Sequence, residues 1–356
     1  MRVLLKRFLL CAAVMAGVLR SGTLRAADGD TEQIPQQVQS AVERGLQWLA
    51  GKQAATGDWP TDVDGGRGPT AAVTSLAAMA FMARGHVPGQ GMYGENINRA
   101  VDRILAMQQP NGLIAPDGWM YPMYDQGIST VMLCEAYGML DEKRQADAGK
   151  AIAKAVRLIL AAQAVPKSGD SVGGWRYQPD STNSDISVSG WQLMALRGAA
   201  NIGAAVPRRA IDLGIAYIKR RAGEDGGFTY GADGIGGGSA ARTGTGILAL
   251  ELLGQHDAKE SLAGGSYLMR TPVASPDLNY YFYREYYCAQ AAWQLGGNYW
   301  TNINRPIRES LLQRQHMDGS WSTTNGSEAA AGESYASSMA ILALTVPYRY
   351  LPIYQR

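Results

Sequence analysis

The sequence has few cysteines and histidines, and this shortage excludes several kinds of site. It contains 3 cysteines and 3 histidines in 356 residues. No histidine lies one helical turn from another or in a pattern with cysteine, so the sequence predicts no zinc site, and we expect no cofactor. Only Cys134 and Cys288 lie beyond the N-terminal segment, too few for a disulfide framework.

Positive charge is also scarce once the N-terminal segment is set aside. The formal net charge is +2, but the first 27 residues contain five basic residues and no acidic one. The remainder has 28 basic against 31 acidic residues, and Lys219-Arg220-Arg221 is its one short basic run. A nucleic-acid-binding protein needs a basic face, so the sequence predicts no nucleic-acid partner.

The first 27 residues have the features of an export signal. A short basic stretch, Met1 to Arg7, precedes an apolar run from Phe8 to Leu19, which is too short to span a bilayer comfortably. We expect cleavage after Ala26 or Ala27, which makes 1–27 a signal peptide and 28–356 a single domain. No later segment reaches 18 apolar residues, so we expect a periplasmic or secreted monomer without a transmembrane segment.

One phrase, a helix ending in glutamine followed by a glycine-aromatic turn, recurs along the chain. The first copy contains Gln53, Gly57 and Trp59, and the last contains Gln315, Gly319 and Trp321 at identical spacing. A third copy has a longer loop from Gln163 to Gly173-Gly174-Trp175, and weaker copies run through Gln109 and Gly112 and from Tyr217 to Gly226-Gly227-Phe228. The recurrence of one phrase along a chain is typical of repeat architectures.

A second, more apolar helical phrase alternates with the first and ends at a glycine, a natural helix cap. The closing glycines are Gly85, Gly138, Gly198, Gly254 and Gly296, and a sixth helix, 337–344, has none. The small apolar helices are expected inside and the amphipathic ones outside. The sequence therefore predicts an all-α protein, an α/α toroid of about six inner and six outer helices. An open solenoid is the alternative, but its terminal repeats would be atypical.

The glutamine, glycine and tryptophan phrase resembles the QW repeat of squalene-hopene cyclases and of the wider terpene cyclase and protein prenyltransferase superfamily. The resemblance covers residues 36 to 350. The chain looks most like exported bacterial prenyltransferase and squalene oxidase repeat proteins, for which the resemblance implies the toroid fold and no particular substrate.

The acid motif that the resemblance implies for these cyclases is incomplete. The motif aligns with Asp185-Ile186-Ser187-Val188, and a serine stands where the proton-donating aspartate belongs. A serine hydroxyl is too weak an acid to protonate an alkene. The resemblance also implies two-domain enzymes about twice this length, which would leave half of the cavity missing.

The segment 280–287 is unusually rich in tyrosine. Tyr283, Tyr286 and Tyr287 share one face of a predicted inner helix, with Arg284 and Glu285 beside them. Together they predict a wall that binds a polar ligand such as a sugar or a peptide. The alternative is that the tyrosines fill the core or rim and their hydroxyls reach solvent.

Charged residues also mark the starts of several inner helices, which meet at one end of a toroid. They are Asp125, Asp185, Arg242 and Glu333. Asp125 and Asp185 are candidate catalytic carboxylates, or Ca²⁺ ligands, and Arg242 is a candidate ligand-binding residue. Helix capping is the alternative explanation for both aspartates.

Three functions stay open at this point. The first is a cell-envelope protein that binds a small molecule, a glycan or an envelope protein through the ring mouth. The second is an envelope polysaccharide lyase or hydrolase, and the third is a terpenoid cyclase- or transferase-like enzyme. A filled ring would favour the first, an open groove lined by tyrosine and carboxylate the second, and a closed apolar cavity the third.

Overall fold

The computed structural model describes residues 34–59, 61, 70–231, 237–274, 280–323 and 328–355. The predicted signal peptide lies outside these residues. Within them lie twelve α-helices and isolated bridges, but no strand. In chain order the helices are α1 Gln36–Lys52, α2 Ala71–Ala83, α3 Gly94–Met107, α4 Pro122–Ala136, α5 Glu142–Ala164, α6 Ile186–Asn201, α7 Arg208–Lys219, α8 Ala240–Leu252, α9 Lys259–Arg270, α10 Tyr281–Leu295, α11 Gly297–Arg314 and α12 Gly332–Leu344. None of these helices is both long and apolar enough to cross a membrane.

The even-numbered helices form a closed inner ring. Each packs against the next in chain order, and α12 packs against α2. These helices are buried nearly all round: in α2, only Ala72 of the thirteen residues is not buried. The odd-numbered helices are amphipathic and cover the ring from outside, because their apolar face packs on the ring and their polar face meets solvent. The predicted toroid of six inner and six outer helices is confirmed.

The recurring glutamines join neighbouring outer helices. Gln53 Nε2 donates to the carbonyl of Gly57, 2.8 Å away in its own turn, and to that of Asn96 at 2.9 Å in the next outer helix. The same pair of bonds recurs at each later joint that has the glutamine, from Gln108 to Gly112 and Ala151, from Gln163 to Gly173 and Ala210, and from Gln315 to Gly319 and Ala41. The last pair joins α11 to α1 and closes the ring.

In the second repeat, the predicted glutamine was off by one residue. Gln108, not Gln109, makes the joint, because its distance of four residues from Gly112 matches that from Gln53 to Gly57. Gln109 bonds instead to the carbonyl of Ala115 in the loop that follows.

Each turn brings a glycine against the next outer helix. Gly319 has a φ of +94°, and a Cβ placed there would lie 2.5 Å from the carbonyl oxygen of Arg44. Only glycine adopts this conformation at little cost and leaves room for that approach. The Trp321 indole that follows is fully buried, and its N–H donates to the Leu311 carbonyl at 2.8 Å.

The C-terminal segment packs back on the ring at the ends of the inner helices. The Ile353 N–H donates to the Glu135 carboxylate at 3.1 Å, and the Gln294 amide donates to the Tyr354 carbonyl at 3.0 Å. Tyr354 and Tyr286 bond through their hydroxyls. This segment covers the ring at the end where the inner helices finish.

Cys134 and Cys288 lie on α4 and α10, which are opposite one another in the six-membered inner ring. Both are free and buried. Their helices stand on opposite sides of the inner ring, which keeps the two thiols apart.

Replacing Gln163 by alanine tests the joint between α5 and α7. The Gln163 amide donates to two carbonyls, those of Gly173 and Ala210, both at 2.9 Å. Its loss leaves both oxygens without their donor, so we expect the free energy of unfolding to fall by about 1–3 kcal/mol in urea titrations. Gln39→Ala, at an exposed position, is the control; an equal effect of the two substitutions would contradict the role of the joint.

Candidate functional site

The two ends of the ring differ. The C-terminal segment covers one end, and the N-terminal ends of the inner helices surround the other, which we call the mouth. Between the ends, aromatic side chains cross the ring: the rings of Trp191 on α6 and Tyr286 on α10 stack with centroids 6.0 Å apart. Because α8 separates these two helices around the ring, this stack fills its centre. A ligand therefore reaches the inner helices from the mouth.

Asp185 lies in the wall of the mouth and is fully buried. It is the N-cap of α6, and its Oδ1 accepts a hydrogen bond from the Val188 N–H at 2.9 Å. Two loops hold its backbone, because Asp185 N–H donates to the Trp175 carbonyl and Ile186 N–H to that of Tyr230. Oδ2 is buried, and within the described chain no hydrogen bond of ordinary geometry reaches it. Helix capping thus explains the hydrogen bond to Oδ1 but does not account for Oδ2.

Several tyrosines surround the Asp185 carboxylate. Tyr177 and Tyr230 bond to each other through their hydroxyls. The pKa values of Tyr124 and Tyr230 are raised, first by burial and then by the charge of Asp185. On the other side, the Tyr283 hydroxyl lies 2.8 Å from Thr245 Oγ1. The mouth therefore presents one carboxylate among several phenol groups.

Burial raises the pKa of Asp185 to about 7. The Val188 N–H and the positive charge of Arg176 oppose this shift, and the Tyr230 hydroxyl is near enough to oppose it as well. The Arg176 guanidinium lies over the rings of Tyr177 and Tyr230, at 4.8 and 5.4 Å from their centroids. Asp185 can accordingly act as a hydrogen-bond donor or acceptor near neutral pH.

Asp125, the second candidate carboxylate, is also buried but is bonded to a neighbouring helix. Its Oδ1 accepts the Ala72 N–H at 2.6 Å and so caps the start of α2. Burial raises its pKa to about 7 against the opposing effect of that bond. The structure thus gives Asp125 a capping role between helices.

The other charged residues expected at the mouth bond to residues of the loops there. Arg242 Nε donates to Ser239 Oγ at 2.8 Å, and Glu333 is exposed and accepts a bond from Ser322 Oγ at 2.7 Å. No group of three or more potential metal ligands occurs among the residues that the structure describes.

The three tyrosines predicted to form a wall lie at different depths. Tyr283 faces the mouth beside Thr245, while Tyr286 and Tyr287 lie deeper and are fully buried. The rings of Tyr283 and Tyr287 are 4.5 Å apart, and Trp191 lies edge-on to Tyr287 at 5.7 Å. Only Tyr283 of the three is open to the mouth; the other two fill the ring.

Arg284 and Glu285 are buried on the outer side of α10. Arg284 Nη2 lies 3.1 Å from Glu285 Oε1, and its Nε donates to the Val273 carbonyl after α9. The Arg284 guanidinium also covers the ring of Tyr281, whose hydroxyl bonds to Ser310 on α11. The helix therefore turns this ion pair away from Tyr283, and the structure does not bring the predicted wall together.

Sequence reasoning missed most of the tyrosines that line the mouth, namely Tyr124, Tyr177, Tyr230 and Tyr335. An internal signal was present for two of them. In two successive repeats, a tyrosine stands two residues after the aromatic residue of the turn: Tyr177 after Trp175 and Tyr230 after Phe228. The first and last repeats have threonine at that position. An aromatic-x-Tyr pattern in two neighbouring turns predicts two tyrosines at the same level of the ring.

No protein-family model matches the chain, and no curated protein matches it in sequence. Solved structures do match in fold. The GH76A α-1,6-mannanase of Salegentibacter sp. HEL1_6 has a TM-score of 0.64 at 12% identity over 86% of this chain and 98% of its own. Its inactive variant, with two consecutive aspartates replaced, is in complex with α-1,6-mannotriose and has a TM-score of 0.62 at 11% identity over 87% of this chain and 99% of its own.

A type II terpene cyclase, MstE from Scytonema, is similar as well. Its TM-score is 0.57 at 14% identity, over 89% of this chain and 99% of its own. This cyclase is matched over nearly its full length, so the solved chain has little beyond the matched toroid, unlike the two-domain cyclases that the QW resemblance implies. At these identities the likeness shows the fold alone: the chain is an α/α toroid of the kind found in both a glycan hydrolase and a terpene cyclase.

Proposed function

We propose that the protein binds a glycan at the mouth of the toroid. The observation that carries this proposal is the buried Asp185 carboxylate, with one oxygen left over, among the phenol groups of Tyr124, Tyr177, Tyr230 and Tyr283. Such a site offers acceptors and donors to sugar hydroxyls and aromatic faces to the apolar side of a sugar ring. A toroid similar in fold has been solved with an α-1,6-linked mannose trimer, which is compatible with this use of the mouth.

The same surface is less suited to binding a peptide. An extended peptide gains most of its affinity from backbone groups of an open strand edge. The short extended stretches at the mouth are already paired with each other, from Trp175 to Asp185 and from Asp185 to Gly231. Side-chain hydroxyls and rings, which suit a sugar, are what remains.

Glycan cleavage is the second candidate, favoured by the pKa of about 7 at Asp185, which suits a general acid or base. Glycoside hydrolysis ordinarily uses two carboxylates on either side of the scissile bond. Asp125 caps α2 and Glu328 accepts three hydrogen bonds, so neither is a ready partner. The sequence also has no two consecutive aspartates. Binding without cleavage is therefore the better-supported proposal.

A cyclase-like function has less support. It requires an acid at Ser187 and a chamber for a long apolar chain, whereas Trp191 and Tyr286 stack across the centre of the ring. The proposal includes export through the 1–27 signal peptide to the periplasm or medium, action as a monomer and no nucleic-acid partner.

The test is binding by the mature chain, residues 28–356, to an array of envelope glycans that includes α-1,6-mannan. We expect wild type to bind at least one glycan and Asp185→Asn to bind it at least tenfold more weakly, because hydrogen bonds to a charged group contribute about 1.5–3 kcal/mol. Glu135→Gln is the matched control, since Glu135 is a buried inner-helix carboxyl at the covered end. Equal binding by all three proteins would contradict the assignment of the site.

A further inference from the structure

Aromatic side chains lie on two opposite sides of the mouth. The first set lies around the start of α4 and in the loop before α6, and consists of Trp119, Tyr121, Tyr124 and Tyr177. The second set lies at the starts of α10 and α12 and consists of Tyr280, Tyr283 and Tyr335. Because α4 and α10 are opposite in the ring, the two sets face each other across the mouth.

The first set forms a continuous chain of ring contacts from the rim inward. Trp119 and Tyr121 have ring centroids 5.9 Å apart, Tyr121 and Tyr177 4.9 Å, and Tyr177 and Tyr124 6.1 Å. Tyr121, which lies between Trp119 and Tyr177 in this chain, is 39% exposed. The set therefore leads from solvent to the tyrosines beside Asp185.

The second set ends at an exposed tyrosine held in a costly conformation. Tyr280 is 49% exposed and has a φ of +59°, one of two residues other than glycine with a positive φ among those described. The phenol of Tyr280 lies near the phenol of Tyr335, which is also near Tyr283. The Tyr335 hydroxyl donates to Glu328 at 2.9 Å. Glycine would adopt this backbone without strain. Strained residues of this kind collect at ligand-binding positions.

The two sets meet over the centre of the mouth. Burial and then the charge of Asp185 raise the pKa of Tyr124, which also lies near the Tyr283 phenol, so the side chains from α4 and α10 reach the same space. Packed helices lie about 8–10 Å apart, so opposite members of a six-membered ring are roughly 16–20 Å apart. The aromatic track from Tyr121 to Tyr280 is therefore much longer than one sugar ring.

We infer that the mouth binds an internal stretch of a linear glycan, which lies across the ring from Tyr121 to Tyr280 with its middle unit over Asp185. This inference rests on the proposed function and adds the length of the ligand and two residues that select it. A chain cannot thread through the ring, because aromatic side chains fill the centre.

The experiment is affinity electrophoresis of the mature protein in gels that contain soluble polysaccharides with a linear backbone: α-1,6-mannan, laminarin, hydroxyethylcellulose, galactomannan or xylan. The variants are Tyr121→Ala, Tyr280→Gly and Asp185→Asn. Tyr350→Ala is the matched control, because Tyr350 is 54% exposed and lies beside Gly85 at the covered end of the ring.

We expect at least one polysaccharide to retard wild type and Tyr350→Ala equally. Tyr121→Ala and Tyr280→Gly should each weaken that binding roughly two- to tenfold. Tyr280→Gly should do so while its melting temperature stays equal to wild type or rises, which a purely structural role for Tyr280 would not produce. The constituent monosaccharide should fail to compete.

The outcomes separate this inference from the proposed function. If Asp185→Asn loses retardation while Tyr121→Ala and Tyr280→Gly migrate as wild type, or if the monosaccharide competes fully, the track is not a binding surface and only the pocket around Asp185 remains. If no polysaccharide retards wild type, both the track and glycan binding are contradicted.

Discussion

Replacing Trp321 by alanine is expected to lower the free energy of unfolding by about 3–5 kcal/mol. The indole is fully buried and bonds to the Leu311 carbonyl at 2.8 Å. It also lies against Gly45 of α1, where a Cβ would come within 2.8 Å of its ring. The substitution removes the side chain that packs the last repeat on the first, so it leaves a cavity at the ring closure.

Urea titration followed by circular dichroism measures this loss. Met317→Ala is the control, because Met317 is fully exposed in the same turn and its truncation should change stability by less than about 0.5 kcal/mol. Comparable losses for the two variants would mean that the first and last repeats do not stabilise each other.

Asp185→Asn has the second large expected effect, a gain in stability that depends on pH. Burial raises the pKa of Asp185 from an ordinary 3.8 to about 7, about three units or at most about 4 kcal/mol. Asparagine keeps an acceptor for the Val188 N–H, since it is a good N-cap, and removes the cost of burying a charge. The variant should be more stable than wild type above neutral pH.

The direction follows from proton binding. Between about pH 4 and pH 7 the folded carboxyl holds a proton that the unfolded one has lost, so the free energy of unfolding falls as the pH rises through this window. The charge of Arg176 and the phenols of Tyr124, Tyr177, Tyr217, Tyr230 and Tyr283 face this carboxyl and are present in both proteins. The difference between variant and wild type should therefore be small at pH 4 and largest at pH 8.

Thermal unfolding from pH 4 to pH 8 gives the measurement. Asp141→Asn is the matched control, because Asp141 is also an N-cap aspartate but is exposed, and bonds to Arg144 lower its pKa. That variant should show no gain at pH 8. A constant difference between Asp185→Asn and wild type across the range would mean that the folded carboxyl titrates normally.

The fold could be predicted from the sequence because each of its parts is a local pattern that repeats. Gln53, Gly57 and Trp59 lie close together in the chain, and their spacing recurs at Gln315, Gly319 and Trp321. Alternation of such turns with apolar helices leaves few arrangements that bury all the apolar faces. Ring closure followed from the first and last copies being equally regular.

The site was predicted less well, because it depends on the direction in which each helix turns its side chains. Arg284 and Glu285 neighbour Tyr283 in sequence but point to α9 and α11, since successive residues of a helix lie about 100° apart. Tyr177 and Tyr230 come from loops, which carry no helical period that could place them beside Asp185. Asp185 itself could be found because it precedes an inner helix.

The closed ring also limits how such a protein can change in size. A linear array of helical hairpins gains or loses a unit at either end without disturbing the rest. Here the bond from Gln315 to Ala41 repeats the bond from Gln53 to Asn96, so the last hairpin is joined to the first and every hairpin has two neighbours. Duplication or deletion of one hairpin would change the angle at every joint at once. Diversification of this architecture is therefore confined to its loops, which include those around the mouth.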